Sequence, residues 1–284
     1  MKDIRIISAQ QIEEATCQLF LQANRELPLD VEEALACAKD AESDPLAKDV
    51  LGCICQNLVL AKERALPICQ DTGMAVVFVE LGNRVIVEGD LLTNATQRGV
   101  IRAYQQGAFR ASIVKDPLYT RENTGDNTPA LVHVELVEGD SIRITALPKG
   151  FGSENTAQLK MFPPSASEND ILSFIVDVVK SAGGRACPPV IVGVGLGSDF
   201  EGVALLAKRA LCQPIQAENP DPKYAAFEKR ILEKLSATGI GPQGMGGDTT
   251  ALAVHILAAP THIASLPCAV NINCHVARHA SVTI

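Results

Sequence analysis

Pro67 divides the sequence into two textures, and that division constrains the fold more than any other feature. Upstream, helix-start signals recur. Ser8 with Gln11 fits a capping box ahead of a segment ending near Asn24, Asp30 with Glu33 repeats the pattern, and Asp44 precedes a proline suited to the first helical position. Downstream, residues 74–81 and 84–87 are rich in Val and Ile and flank Gly82-Asn83, which predicts a hairpin. Residues 91–110 read as a helix, and residues 130–137 and 141–147 as a second hairpin around Glu138-Gly139-Asp140. A glycine-rich turn over 149–155 follows, then a helix over 168–182 with Ile171, Phe174, Ile175 and Val178 on one face. A short strand over 189–194, helices over 201–211 and 222–236, and two apolar strands over 248–259 and 267–274 complete the pattern, with a Pro-Thr-His turn between the last two. The expectation is an α/β (mixed α+β) chain: a helical N-terminal layer, about 1–67, on an α/β body with mixed sheets, forming one domain over 1–284.

Charge and composition remove several function classes. Twenty-five Lys+Arg against 33 Asp+Glu give a formal charge of −8, the wrong sign for a nucleic-acid binder, although local cations can still receive an anionic substrate. Hydrophobic residues at 47% and charged residues at 20% exclude a disordered chain. The N-terminus has no apolar signal core, and no uncharged stretch approaches the ~18 residues of a membrane span, so a cytoplasmic protein with no membrane partner is expected. In that reducing compartment nine cysteines, an odd number, are core residues, metal ligands or nucleophiles rather than a disulfide framework.

The cysteines sort by context. Cys17, Cys37 and Cys212 lie in amphipathic helical segments, and Cys268 lies in an apolar strand; all four read as packing residues. Cys53 and Cys55 fall ~200° apart around a helix axis and also read as packing rather than a shared ligand pair. Cys69, Cys187 and Cys274 differ, because each sits at an element boundary beside Pro, Gly or polar residues. No local spacing rule brings these three together, so a shared metal site and three unrelated loop cysteines both stand on the residues alone.

Six motifs then occur in order: Pro67-Ile-Cys-Gln-Asp-Thr-Gly-Met74, Arg121-Glu-Asn-Thr-Gly-Asp-Asn-Thr-Pro-Ala130, Pro148-Lys-Gly-Phe-Gly-Ser-Glu-Asn155, Cys187-Pro-Pro-Val-Ile-Val-Gly-Val-Gly195, Gly241-Pro-Gln-Gly-Met-Gly-Gly247 and Cys268-Ala-Val-Asn-Ile-Asn-Cys-His275. From about residue 60 to its end the sequence resembles the class I, iron–sulfur-dependent fumarate hydratases and the related L(+)-tartrate dehydratases. The resemblance implies that Cys69, Cys187 and Cys274 ligate a 4Fe-4S cluster with one iron not held by protein, whose open position gives Lewis-acid chemistry. It further implies Asp71 and His262 as catalytic groups, with Gln70, Arg110, Gly150 and Gly152 contacting substrate. Each has a plainer reading: Asp71 as a turn residue, His262 as a structural histidine, Arg110 as an exposed helix residue and the Lys149–Gly152 stretch as a turn. His275 and His279 flank Cys274 and suit outer-sphere donors.

The implied function is the alpha subunit of a hydro-lyase that hydrates fumarate to (S)-malate, with L(+)-tartrate dehydration to oxaloacetate as the alternative. Single-chain relatives carry further active-site groups in a C-terminal half, so a separate beta subunit is the expected partner. A homodimer of alpha chains and a four-carbon dicarboxylate substrate complete the expected partners. Two rival classes are a non-catalytic metal- or redox-sensing protein and a cysteine-nucleophile enzyme. The glycine loops lack a Walker Lys-Ser/Thr, and Gly193-Val-Gly-Leu-Gly197, placed after a strand, lacks dinucleotide-binding spacing.

Overall fold

In a computed structural model that describes residues 4–284, the elements run β1 (Arg5–Ser8), α1 (Ala9–Arg25), α2 (Leu29–Ala41), α3 (Pro45–Glu63), β2 (Met74–Gly82), β3 (Val85–Glu88), α4 (Leu92–Gln106), β4 (Leu131–Val137), β5 (Ile142–Lys149), α5 (Phe151–Glu154), β6 (Gln158–Phe162), α6 (Glu168–Ala182), β7 (Val190–Ser198), α7 (Phe200–Ala210), α8 (Pro222–Ser236), β8 (Ala251–Thr261), β9 (Leu266–Asn273) and β10 (Ala280–Thr283). Mixed α/β architecture is therefore observed. The chain forms two compact units. The first holds residues 4–28, Leu58–Gly150 and Arg278–Ile284; the second holds Leu29–Asn57 and Phe151–Ala277. The N-terminal helices are shared between them, since α1 belongs to the first and α2 to the second. Among the described residues no helix is long and apolar enough to cross a membrane.

In the first unit the sheet order is β10-β5-β2-β4. β2 is buried along most of its length, runs antiparallel to β5 and parallel to β4, and has both edges occupied. Both expected hairpins are thereby corrected. β3 pairs in parallel with β1, a strand the sequence reading missed, and β4 and β5 are separated by β2. The reason lies in the turns, which bond to each other rather than folding their own strands together. Asn83 N donates to Val137 O (2.8 Å), Arg84 N to Gly139 O (2.9 Å) and Gly82 N to Ser141 O (3.0 Å). Gly82 allows this close approach, because a Cβ there would stand 2.7 Å from Gly139 O.

Helix α1 covers this sheet with Ile12, Leu19, Phe20 and Ala23, fully buried or nearly so, and starts at the expected capping box: Gln11 N donates to Ser8 Oγ (3.2 Å) and Ser8 N to Gln11 Oε1 (2.9 Å). Asp44 likewise caps α3, accepting from Ala47 N at 2.8 Å. The Asp30–Glu33 box does not form. Asp30 lies inside the first turn of α2, and its Oδ2 accepts from Ile215 N at 2.7 Å, a tertiary bond with no local signature.

In the second unit the order is β6-β9-β7-β8, with β7 parallel to β8 and antiparallel to β9. Alternation along β7 serves two layers. Val190, Val192, Val194 and Leu196 enter the core with Ile175, Val179, Phe227 and Ile231 of α6 and α8. Gly193 and Gly195 point the other way, where any Cβ would lie 2.2 Å from carbonyls of α7. Those glycines lie within the strand, rather than after it, and their spacing is a helix-packing device.

Candidate active site

The loop after α3 carries Cys69, Gln70 and Asp71 in the first unit. Ile68 anchors it, buried and donating its N–H to Asn24 O at 2.9 Å, after which Cys69 and Asp71 are half-buried and Gln70 is exposed. Asp71 Oδ1 accepts from Gly73 N at 3.0 Å, an Asx turn that fixes the carboxylate to its own backbone. The next three carbonyls are then tied from three other segments. Arg278 Nη2 donates to Asp71 O, the Tyr104 hydroxyl lies 2.7 Å from Thr72 O and 2.8 Å from Gly73 O, and Asn127 Nδ2 donates to Gly73 O at 3.1 Å. Burial pushes the Tyr104 phenol well above its ordinary range, so it stays a donor. Such density of bonds on one tripeptide makes the Asp71 backbone a pre-set platform.

Gly150, at the end of β5, completes the platform. A Cβ there would sit 3.3 Å from Asp71 Oδ2, so the missing side chain lets the backbone approach the carboxylate closely. Neighbouring Lys149 is fully buried, with Nζ donating to Gly150 O at 3.2 Å, and Gly73 (φ +79°) packs where a Cβ would meet Pro148 C at 2.7 Å. Arg110 presents an exposed side chain, while its carbonyl accepts from Thr72 Oγ1 at 2.9 Å. The structure thus brings Asp71 and Gly150 together, and adds Lys149, Tyr104, Asn127 and Arg278. Asn127 and Lys149 fall inside quoted motifs and were within reach of sequence reasoning. Tyr104 and Arg278 act on backbone carbonyls far away in sequence and left no local signal.

The second unit carries Cys187, Cys274, Gly152 and His262. Cys187 adopts a left-handed conformation (φ 52°, ψ 62°) and precedes β7, while Cys274 follows β9. Antiparallel pairing of Ile191 with Asn273 sets both cysteines at one end of the sheet. His275 N donates to Cys187 O at 3.2 Å, and His275 Nδ1 lies 2.9 Å from the same oxygen. Gln243 N and Nε2 both donate to Pro188 O, at 2.8 and 2.9 Å. Burial lowers the His275 pKa, and its Nδ1 also lies 3.0 Å from Gln243 Nε2, which ties the ring to both Cys187 and Gln243.

His262 lies apart from the two cysteines within this unit. It is exposed in the turn after β8, whose Thr261 pairs with Ser198 at the far end of β7. The length of β7, roughly 25–30 Å at strand rise, separates it from the Cys187–Cys274 end, so the structure does not assemble it with that pair. Gly152 lies exposed in the short α5, and a Cβ there would be 3.6 Å from Arg185 O.

Thiol environments separate candidate ligands from packing residues. Burial raises the Cys17 and Cys55 thiols and pushes those of Cys212 and Cys268 up to about 12, which disfavours the thiolate a metal requires. Cys37 and Cys53, expected to pack, are instead exposed. Cys69, Cys187 and Cys274 are half-buried at element ends. Among the described residues no group of three or more His, Cys, Asp or Glu side chains is placed to hold a metal ion. The donor chemistry nevertheless suits thiolate ligation: Cys187 and Cys274 form a braced pair in the second unit, and Cys69 belongs to the first.

A buried histidine outside this set has a measurable consequence. His255, in the middle of β8, is almost wholly buried, its Nε2 has no hydrogen-bond partner among the described residues, and it borders a cavity of about 280 Å³ shared with Asn219, Tyr224 and Glu228. Burial lowers its pKa to about 4, so the folded state refuses a proton that the unfolded chain accepts near 6.5. Stability therefore falls as pH drops from about 6.5 to about 4, by on the order of 3 kcal/mol. Urea unfolding of His255→Leu should show a shallower loss between pH 7 and pH 4.5 than the parent, with His275 retaining part of the slope. Equal slopes would contradict that origin.

Comparison with known proteins gives the class: the chain is a hydro-lyase. It belongs to the fumarate hydratase (fumerase) family, whose model matches residues 13–283. It is 38% identical over 277 residues to a Methanocaldococcus jannaschii protein provisionally named L(+)-tartrate dehydratase subunit alpha, covering 95% of this chain and 96% of that one. It is 31% identical over 261 residues to the L(+)-tartrate dehydratase subunit alpha of Escherichia coli strain K12, covering 91% and 86%. The same figures hold for the protein of that name from Shigella sonnei.

Proposed function

We propose that the chain is the alpha subunit of a 4Fe-4S-dependent hydro-lyase that reversibly hydrates fumarate to (S)-malate. The observation that carries the reading is the fixed Asp71 platform beside Gly150, two residues beyond Cys69. In this proposal Cys69, Cys187 and Cys274 supply three thiolates. A cluster held so, when bound, supplies one iron with an open coordination position and hence Lewis-acid chemistry without net redox change. Asp71 exchanges the proton at carbon, its Oδ1 restrained by Gly73 N and its Oδ2 lying toward Gly150. Arg110 and Gln70, both exposed, offer a carboxylate-binding guanidinium and a polar contact. The family resemblance also assigns His262 a catalytic role, and in this unit it lies at the other end of β7 from the cysteine pair.

L(+)-tartrate dehydration is a second reading, favoured by the names of the relatives. Those names, as alpha subunits, also support a separate partner chain. The test is anaerobic assay of this chain alone and mixed with its beta subunit, on fumarate, (S)-malate and L(+)-tartrate. The expected result is water addition to fumarate only in the mixture. Full activity of the isolated chain would overturn the two-subunit reading, and turnover of tartrate alone would overturn the substrate.

A further inference from the structure

We propose that Arg278 is a positioning residue that locks the loop carrying Asp71 to the loop carrying Lys149 and Gly150. It is 3% exposed, and its guanidinium spans two carbonyls from distant stretches of chain: Nε donates to Pro148 O at 3.2 Å and Nη2 to Asp71 O. These are the residues that begin the Asx turn and precede Gly150, so one rigid fork ties the backbone of the carboxylate-bearing loop to that of the glycine it closely approaches. Tyr104 and Asn127 hold the turn from the other direction through Thr72 O and Gly73 O; neither reaches Pro148. Arg278 thus joins the main chain at Asp71 to the main chain at the β5 end.

Its third nitrogen argues for a role beyond stability. Nη1 is buried and has no hydrogen-bond partner among the described residues. A buried cation with an unmet donor costs free energy that a purely structural tie, made by a neutral amide, would avoid. Lysine cannot replace the fork, because one ammonium is a point donor on a flexible stem and does not hold two carbonyls in a fixed plane.

The inference rests on the hydro-lyase reading for what is positioned, and its test separates the two. Hydrogen–deuterium exchange is measured on the full chain with its partner subunit, for wild type, Arg278→Gln and Arg278→Lys. Residues 70–74 and 148–150 should exchange faster together in both variants, with α6–α8 unchanged. In the substrate assay kcat should fall about 10- to 100-fold while KM stays within about threefold, as misplacement of a reacting group predicts, and methylguanidine should restore part of the kcat of Arg278→Ala. Wild-type exchange in both loops of both variants overturns the positioning role whatever the activity. Paired loosening without any hydro-lyase activity in the wild type would sustain the lock and sink the functional reading instead. Should Arg278→Gln fail to fold, Arg278→Lys carries the same exchange measurement. Loosening spread over the whole first unit would show a general structural role and overturn the proposal.

Discussion

Replacing Cys187 or Cys274 by serine is expected to abolish water addition and strip bound iron, while leaving the fold intact. Serine keeps the size of the side chain, both positions are half-buried at element ends, and the ties that shape the segment are made by backbone and by other residues: His275 N to Cys187 O, and Gln243 to Pro188 O. What is lost is the thiolate. Removing an outer-sphere partner of a metal site typically costs 10–100-fold, so loss of a direct ligand should exceed about 100-fold in activity. Cys69→Ser should behave the same way, and Cys53→Ser, at an exposed helix position, should retain both iron and activity. The pattern discriminates among the rival readings. A cysteine-nucleophile enzyme would lose activity at one thiol only, and a zinc protein would bind no sulfide. Full iron content in Cys187→Ser would contradict the proposed ligand set.

Asp71→Asn is expected to lower kcat by about 10²–10⁴ with bound iron unchanged, the range typical for loss of a positioned acid–base group. The substitution is a clean one. Asparagine Oδ1 can still accept from Gly73 N, so the Asx turn survives, and the Arg278, Tyr104 and Asn127 ties go to main-chain carbonyls that the substitution leaves alone. The negative charge and the ability to take a proton are what the substitution removes. Steady-state kinetics alongside iron analysis tests this, and near-parental kcat in Asp71→Asn would remove the carboxylate from the chemistry.

How much of this was legible in the sequence depended on whether the physics was local. Caps are local, so the Ser8–Gln11 box, the Asp44-Pro45 start and the helix over Pro222–Ser236 were read in place. The Asp30 signal failed because its carboxylate found a partner at Ile215 instead. Strand positions were legible from Val/Ile runs, but their partners were not. β2 is flanked by β4 and β5 because two turns bond to each other across sequence, and no hydrophobic pattern encodes which of two neighbouring runs will pair. β6, with residues exposed at three of five positions, offered too weak an alternation to be noticed. The same divide runs through the site. Asp71 and Gly150 stood in recognisable motifs, whereas Arg278 and Tyr104 matter through main-chain carbonyls remote from them. His262 stood in a family-like segment, yet the register of β7 with β8 carries it to the opposite end from the paired cysteines.

The central claim is tested most directly by iron and acid-labile sulfide analysis, with Mössbauer spectroscopy, on the anaerobically purified complex of this chain and its partner. The expected result is about four irons and four sulfides per chain, with one iron site distinct from the others and shifted on adding fumarate or malate. Stoichiometric zinc without sulfide, or a cluster whose spectrum ignores both dicarboxylates, would contradict it.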